Sequence, residues 1–280
     1  ESTSRKLLSD QLPSALHVGL MQASPSSPYF PGASAFSQSL IARLNRGARL
    51  WLYVGHGFID TLDHIPDKGQ PKAIFNSTMT SQIAIAETPP IAVFLACYVG
   101  AFDAPQDCLA EQLVLHPHGP IAAVAGTRLT MPYGMGVLGG NMLDEWTSSP
   151  ALTLGRLVKN AKCKTLLSID STGSSTQSNQ TERREFLDTL AAALSPEGHS
   201  LDEERREHVK LFHVLGDPTY RERQPIPLSI QLQEQVPIAA RSVTVDLEIP
   251  FEGRLLIEVA YDRNRLPSEV TSLVARKSNG

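Results

Sequence analysis

Two short apolar runs, each leading to a reactive side chain, constrain this chain more than any other feature. The first is Leu50 to Val54, which continues through Gly55 to His56 and Gly57 (LWLYVGHG). The second is residues 91–97 (IAVFLAC) and ends on Cys97. Both are continuous rather than alternating. Both are rich in Val, Ile, Leu and aromatic residues, and both stop at small or polar residues. That is the pattern of a strand covered on both faces, as in a parallel sheet. In an open α/β sheet, ligands bind beyond the carboxyl ends of the strands. If these two strands are neighbours, an imidazole and a thiol share one rim. The result is a Cys–His nucleophile pair set by strand-end placement, not by sequence adjacency.

The surrounding segments supply the rest of such a sheet. Residues 15–22 read as a short strand and 23–34 as a loop. Residues 35–45 place Phe36, Leu40, Ile41 and Leu44 at helical spacing, and Gly47 is a helix stop. Strand, helix, strand makes a parallel crossover unit. Residues 58–90 read as mostly irregular, with a short regular piece at 83–86 before Pro89 and Pro90. A helix is expected over 107–115, a third buried strand over 121–126, and helices over 135–146 and 153–160. The glycines at 134, 136, 139 and 140 follow no strand as a dinucleotide loop requires, and read as close packing under a substrate cleft. Residues 169–180 are low in complexity and polar, which predicts a mobile surface loop. Charged helices follow over 181–194 and 201–210. A strand over 211–215 then runs into Gly216-Asp217-Pro218, a turn. A domain boundary falls near Gln224-Pro225. Beyond it, 228–232, 243–249 and 254–260 alternate apolar and polar residues, the signature of half-exposed antiparallel strands. The division is therefore an α/β domain over 1–224 and a small β-rich module over 225–280.

Bulk properties exclude several classes. The chain has 280 residues and a net charge of −4 spread along its length, so no basic stripe points to nucleic acid. No stretch of about 18 apolar residues predicts a membrane span. Three cysteines are too few for a disulfide scaffold and leave at least one thiol unpaired. Cys108 and Cys163 read as plain buried or helix-face residues. No signal peptide is visible at Glu1. That residue is not an initiator methionine, so a processed or trimmed product is expected.

The two motifs, Tyr53-Val54-Gly55-His56-Gly57 and Phe94-Leu95-Ala96-Cys97, resemble the caspase-like cysteine peptidases. Within that clan the chain is most similar to the gingipain family, peptidase family C25. The segment 97–103 (CYVGAFD), Ala110-Glu111-Gln112, the run 121–128 and Leu215-Gly216-Asp217-Pro218 carry that resemblance, which covers residues 15–222. It implies a three-layer αβα sandwich around a mostly parallel sheet, followed by a small Ig-like β-sandwich. It also implies a cysteine endopeptidase acting on polypeptides through a thioester, with no organic cofactor or catalytic metal. The backbone N–H groups of Gly57 and Cys97 would form the oxyanion hole. Structural calcium, and a precursor segment ahead of Glu1 as in a zymogen, are further expectations from the same resemblance.

Each candidate also has a plainer reading. Cys97 alone would be a small buried hydrophobe. His56 alone would be a loop or core histidine. Together, at two strand ends, they read as nucleophile and acid–base. A third group commonly orients the base. Asp60 and Asp63 are the nearby candidates, and both also read as solvated loop charges. Asp103, with Glu111 further on, could select Arg or Lys substrates by charge pairing. Arg128 could instead favour an acidic substrate residue. His116 and His118 lack further metal-ligand spacing and read as loop residues. Two rival functions use the same residues. One is transpeptidation, in which an amine intercepts the thioester. The other is an inactive binding scaffold on a peptidase fold.

Overall fold

Every residue of Ile91–Leu95 is buried, and the sheet extends outward from this strand. The computed structural model describes residues 12, 16–67, 69–148, 152–167 and 175–222, and two short strands beyond them. In chain order the elements are α1 (Ala33–Leu44), β1 (Leu50–Val54), β2 (His64–Ile65), β3 (Lys72–Ala73), a 3-10 turn (Ser77–Gln82), β4 (Ile91–Leu95), α2 (Leu109–Leu115) and β5 (Ala122–Gly126). There follow α3 (Pro132–Ser148), α4 (Leu154–Leu166), α5 (Ser175–Leu194), α6 (Leu201–Leu211), β6 (Phe212–Gly216), β7 (Ser229–Gln231) and β8 (Asp246–Glu248). The chain divides into two units, Glu1–Gln224 and Pro225–Gly280. In the second, β7 and β8 pair antiparallel. The expected sandwich, including its third strand at 254–260, lies outside the described residues.

The main sheet has four strands in the order β1-β4-β5-β6. The pairs β1–β4 and β4–β5 are parallel, and β6 closes on β5 antiparallel. The sheet is therefore mostly parallel, as the unbroken apolar runs require. Alternate residues of β4 feed two cores. Ala92 and Phe94 pack with Trp51, Phe75 and the apolar stripes of α1 and α2. Ile91, Val93 and Leu95 pack with Met135, Leu138 and Met142 of α3 and Leu154, Leu157 and Val158 of α4. Helices thus cover both faces, and a continuous hydrophobic run is the only sequence compatible with that position.

The local boundaries have identifiable causes. Thr153 caps α4 by accepting the Arg156 N–H at 3.3 Å. Ser200 does the same for α6 through Glu203. Gly47 and Gly216 carry positive φ at the entry to β1 and the exit of β6. Four expectations are corrected. Residues 16–22 form no strand; Gln22 donates its N–H to the Tyr29 carbonyl within a turn-rich segment instead. The regular piece between β3 and β4 is the 3-10 turn, not 83–86, although Ile83 and Ile85 are buried. The polar segment 169–180 is not all loop: α5 begins at Ser175, so helix-compatible Ser, Gln and Asn extend it back from the charged run. β1 is not covered on both faces: it ends the strand order, only Trp51 in it is buried, and Val54 is exposed. The expected helix over 135–146 is α3, which starts earlier, at Pro132, where proline fits the first helical turn, and takes in the glycines of 134–140. They do serve close packing. A Cβ on Gly139 would lie 2.3 Å from Leu95 Cδ1, and one on Gly134 would lie 2.5 Å from the His208 ring.

In an open helix, alanine in place of glycine stabilises by up to about 1 kcal/mol. Leu95 is only 2% exposed and cannot yield. Gly139→Ala is therefore expected to destabilise the fold by about 1–3 kcal/mol in urea unfolding. A stabilised variant would mean that α3 does not press on β4 this closely.

Candidate active site

The parallel register pairs Val54 with Leu95 at the carboxyl ends of β1 and β4. His56 and Cys97 each follow two residues later, so both sit on one rim of the sheet. The ladder continues past the strands, because Gly55 N–H donates to the Leu95 carbonyl at 3.2 Å. Gly57 then presses on the other strand's exit. A Cβ there would lie 2.7 Å from the Cys97 carbonyl oxygen, 2.6 Å from Val99 Cγ2 and 2.9 Å from Ala96 Cβ. Only glycine lets the two strand ends approach this closely. His56 is exposed and Cys97 half-buried, so both are open to a ligand at the rim. Among the described residues, neither the Gly57 nor the Cys97 N–H has a hydrogen-bond acceptor.

The chain turns sharply after Cys97. Tyr98 has φ +58°, the left-handed region that residues with a Cβ seldom occupy. Contacts with β5 hold the turn: Tyr98 N–H donates to the Arg128 carbonyl, and Gly100 N–H to the Gly126 carbonyl at 2.9 Å. Sequence reasoning missed this strain because a tyrosine gives no sign of a left-handed backbone. It also missed Thr130. This buried residue follows β5 and reaches the sulfur with two groups: its N–H lies 3.3 Å from Cys97 Sγ and its hydroxyl 3.4 Å.

Tyr53 holds the loop that carries the histidine. Its hydroxyl donates to the His56 carbonyl at 2.7 Å and accepts the Asp63 N–H at 3.2 Å. Burial pushes this hydroxyl up to about 12, with the Asp63 charge adding to the shift. Asp60 and Asp63 lie in that loop, but among the described residues neither carboxylate is hydrogen-bonded to the His56 ring. Asp63 Oδ1 instead accepts the His64 N–H at 2.7 Å. Asp103 and Arg128 do meet. They form a two-pronged ion pair, each about half exposed, with Arg128 Nη1 2.9 Å from Asp103 Oδ1. The guanidinium holds the Asp103 carboxyl below the usual carboxylate range. Exposed Phe58, Phe102, Leu129 and Met131 lie on the loops that follow β1, β4 and β5.

The other candidates are structural. Cys108 is fully buried at the start of α2, where Glu111 accepts its N–H, and burial pushes its thiol up to about 11. Glu111 is thereby committed to a helix cap. Cys163 is exposed on α4. His116 Nδ1 accepts the His118 N–H at 3.3 Å, a turn contact. Among the described residues no group of three or more His, Cys, Asp or Glu could hold a metal ion. Among the same residues no helix is long and apolar enough to cross a membrane.

A mostly parallel α/β domain thus carries a thiol and an imidazole level on one rim. Peptidase family C25 matches residues 5–223, and the chain belongs to that family. Two of the solved structures similar to it are gingipains. One is the complex of Porphyromonas gingivalis RgpB pro- and mature domains, 18% identical with a TM-score of 0.49 over 79% of this chain and 45% of that one. The other is the Arg-specific cysteine proteinase gingipain R, 19% identical with a TM-score of 0.46 over 79% and 44%. The chain spans less than half the length of either. No curated protein matches it.

The Tyr53 shift gives a signed pH prediction. The neutral hydroxyl is favoured in the folded state, so its contribution is complete below pH 10, the ordinary value, and is lost as pH rises to about 12. Urea unfolding across that range is expected to show a fall in stability that is smaller in Tyr53→Phe. An identical fall in the variant would exclude Tyr53 as its source.

Proposed function

We propose that this chain carries the catalytic centre of a cysteine endopeptidase, with Cys97 as nucleophile and His56 as acid–base. The observation that carries the reading is the level placement of the two residues beyond paired parallel strands, with Gly57 packed on the Cys97 carbonyl. The Cys97 thiolate bonds to the scissile carbonyl carbon. The Gly57 and Cys97 N–H groups, which have no acceptor among the described residues, bind the oxyanion. The C–N bond breaks as protonated His56 gives its proton to the departing amine. The acyl group remains on sulfur as a thioester. Water then adds to that carbon and loses a proton to His56. The C–S bond breaks, which releases the carboxylic acid and returns the thiolate.

The proposed substrate is a polypeptide, received across the apolar rim residues Phe58, Phe102, Leu129 and Met131. A precursor segment ahead of Glu1 is the second partner in this reading. Mass analysis of the amino terminus made in cells tests it: a start at Glu1 left by cleavage supports a precursor. Asp103 and Arg128 neutralise one another, so neither offers a free charge for specificity.

Cleavage of a mixed peptide library should fall by at least about a thousandfold in Cys97→Ala and by about 10²- to 10⁴-fold in His56→Ala. At neutral pH, iodoacetamide should label Cys97 fastest, then exposed Cys163, and leave Cys108 untouched. The Cys97 preference should vanish in His56→Ala. Equal labelling of Cys97 and Cys163 in the parent protein would sink the peptidase reading in favour of a scaffold.

A second test addresses specificity. Arg128→Gln releases the Asp103 carboxylate and should shift preference toward Arg and Lys peptides, whereas Asp103→Asn should shift it toward acidic ones. Unchanged preferences in both variants would remove the pair from the substrate path.

A further inference from the structure

We propose that Thr130 is a further catalytic residue of this site, whose backbone N–H and hydroxyl hold the charged sulfur of Cys97. The proposal rests on Cys97 being the nucleophile. Three contacts join the residues: Thr130 N–H to Sγ at 3.3 Å, Thr130 Oγ1 to Sγ at 3.4 Å, and the Cys97 S–H to the Thr130 carbonyl at 3.6 Å. Thr130 approaches from the β5 side of β4, while His56 is carried at the end of β1, on the other side of β4.

The hydroxyl has a second partner that makes it adjustable. Thr130 Oγ1 lies 3.1 Å from Met135 Sδ, a weak acceptor. While Cys97 is a thiol, its S–H can point at the Thr130 carbonyl or hydroxyl oxygen, and the Thr130 O–H rests on Met135. When the thiol gives its proton to His56, its donor role ends and the sulfur becomes a strong acceptor. The Thr130 O–H then turns from the neutral thioether to the charged sulfur by rotating one hydrogen. The N–H is already in place. Two donors thus act on the thiolate where the thiol has one, and hydrogen bonds to the charged form favour it.

The loop is fixed on both sides of Thr130, so the donors are in place before the charge forms. On one side, the Thr127 N–H and hydroxyl both donate to the Leu211 carbonyl at 3.0 Å. On the other, the Met131 N–H donates to His208 Nε2 at 2.8 Å. His208 is fully buried, and its Nδ1 lies 2.7 Å from the Glu204 carbonyl, so Nδ1 carries the hydrogen and Nε2 accepts. Both anchors belong to α6, which packs on α3 under the site. Thr130 itself is 4% exposed, so water does not compete for its hydroxyl.

The test compares Thr130→Val, Thr130→Ala and Thr130→Ser with the parent chain. The readout is the iodoacetamide labelling rate of Cys97 divided by that of Cys163 in the same molecules, by peptide mass at neutral pH. Cys163 is exposed on α4 and reports any general change in the reagent or fold. One hydrogen bond to a charged group corresponds to about a tenfold effect. Val and Ala are expected to lower the ratio by about tenfold, and Ser to restore most of it. The Ala variant cannot overpack the site, so it remains informative if Val fails to fold. Equal ratios in folded Ala, Ser and parent proteins would overturn the proposal, as would a loss that Ser does not rescue. Alkylation needs no peptide cleavage, so a chain that proves inactive on every peptide would defeat the peptidase reading and leave this test standing.

Discussion

The parallel pairing of β1 with β4 is the constraint on which the site depends. Neither His56 nor Cys97 belongs to a strand; both are placed by how far the strands run before they end. With Val54 opposite Leu95, the two exits are level. A slip of one residue would move one exit by about 3.3 Å and turn every side chain of that strand to the wrong face. Ala92 and Phe94 would then face the core that holds Ile91, Val93 and Leu95. Burial on both faces therefore fixes the register, and the register fixes the chemistry. Gly57 closes the arrangement, since any side chain there would push the two exits apart.

Fixed backbone geometry dominates the rim. The turn at Tyr98 costs on the order of 1–3 kcal/mol and persists because β5 holds it from the side. That turn stops the strand direction immediately after the sulfur and leaves Cys97 half-buried at the edge. The loop after β5 is tied to α6 at Thr127 and Met131. The loop after β1 is tied too, by the Ser77 N–H to the Asp60 carbonyl, the Leu109 N–H to the Ile59 carbonyl and the Tyr53 hydroxyl to the His56 carbonyl, though not through the His56 ring. The thiol thus sits among rigid groups, and the imidazole sits on a restrained main chain with its ring exposed.

The parts of this arrangement legible in the sequence were those written in hydrophobic pattern. The run ending at Cys97 announced a buried parallel strand because a doubly covered strand leaves no position for a polar residue; the run leading to His56 looked the same but forms the edge strand, with Val54 exposed. The helix stripe with Phe36, Ile41 and Leu44 was equally plain, and those three residues are buried. What the pattern could not carry were contacts between distant loops. Asp103 and Arg128 looked like rival specificity charges because nothing in their spacing says that they pair. Thr130 is one threonine among many until β5 is laid beside β4. The glycines of α3 read as close packing, but the pattern could not name their partners. They are explained only by Leu95 and His208 pressing against them. The start of α5 was hidden for another reason: Ser, Gln and Asn have weak helical preference, and neighbouring turns override it.

These contacts also bear on the acid that should orient His56. Such a group matters most where the imidazolium must stabilise a thiolate by standing beside it, because a free ring would lose that contact by rotating. Here the sulfur has donors of its own within 3.4 Å, on a loop that does not depend on the histidine. Under the proposed function, His56 shares the charged sulfur with Thr130, gives a proton to the departing amine and takes one from water. Both partners of that exchange arrive with the substrate, and they can align an exposed ring by bonding to it. A rigid sulfur site and a restrained but unoriented imidazole are therefore mutually consistent. Asp60 and Asp63 make no hydrogen bond to the ring among the described residues, and Asp63 Oδ1 accepts the His64 N–H instead.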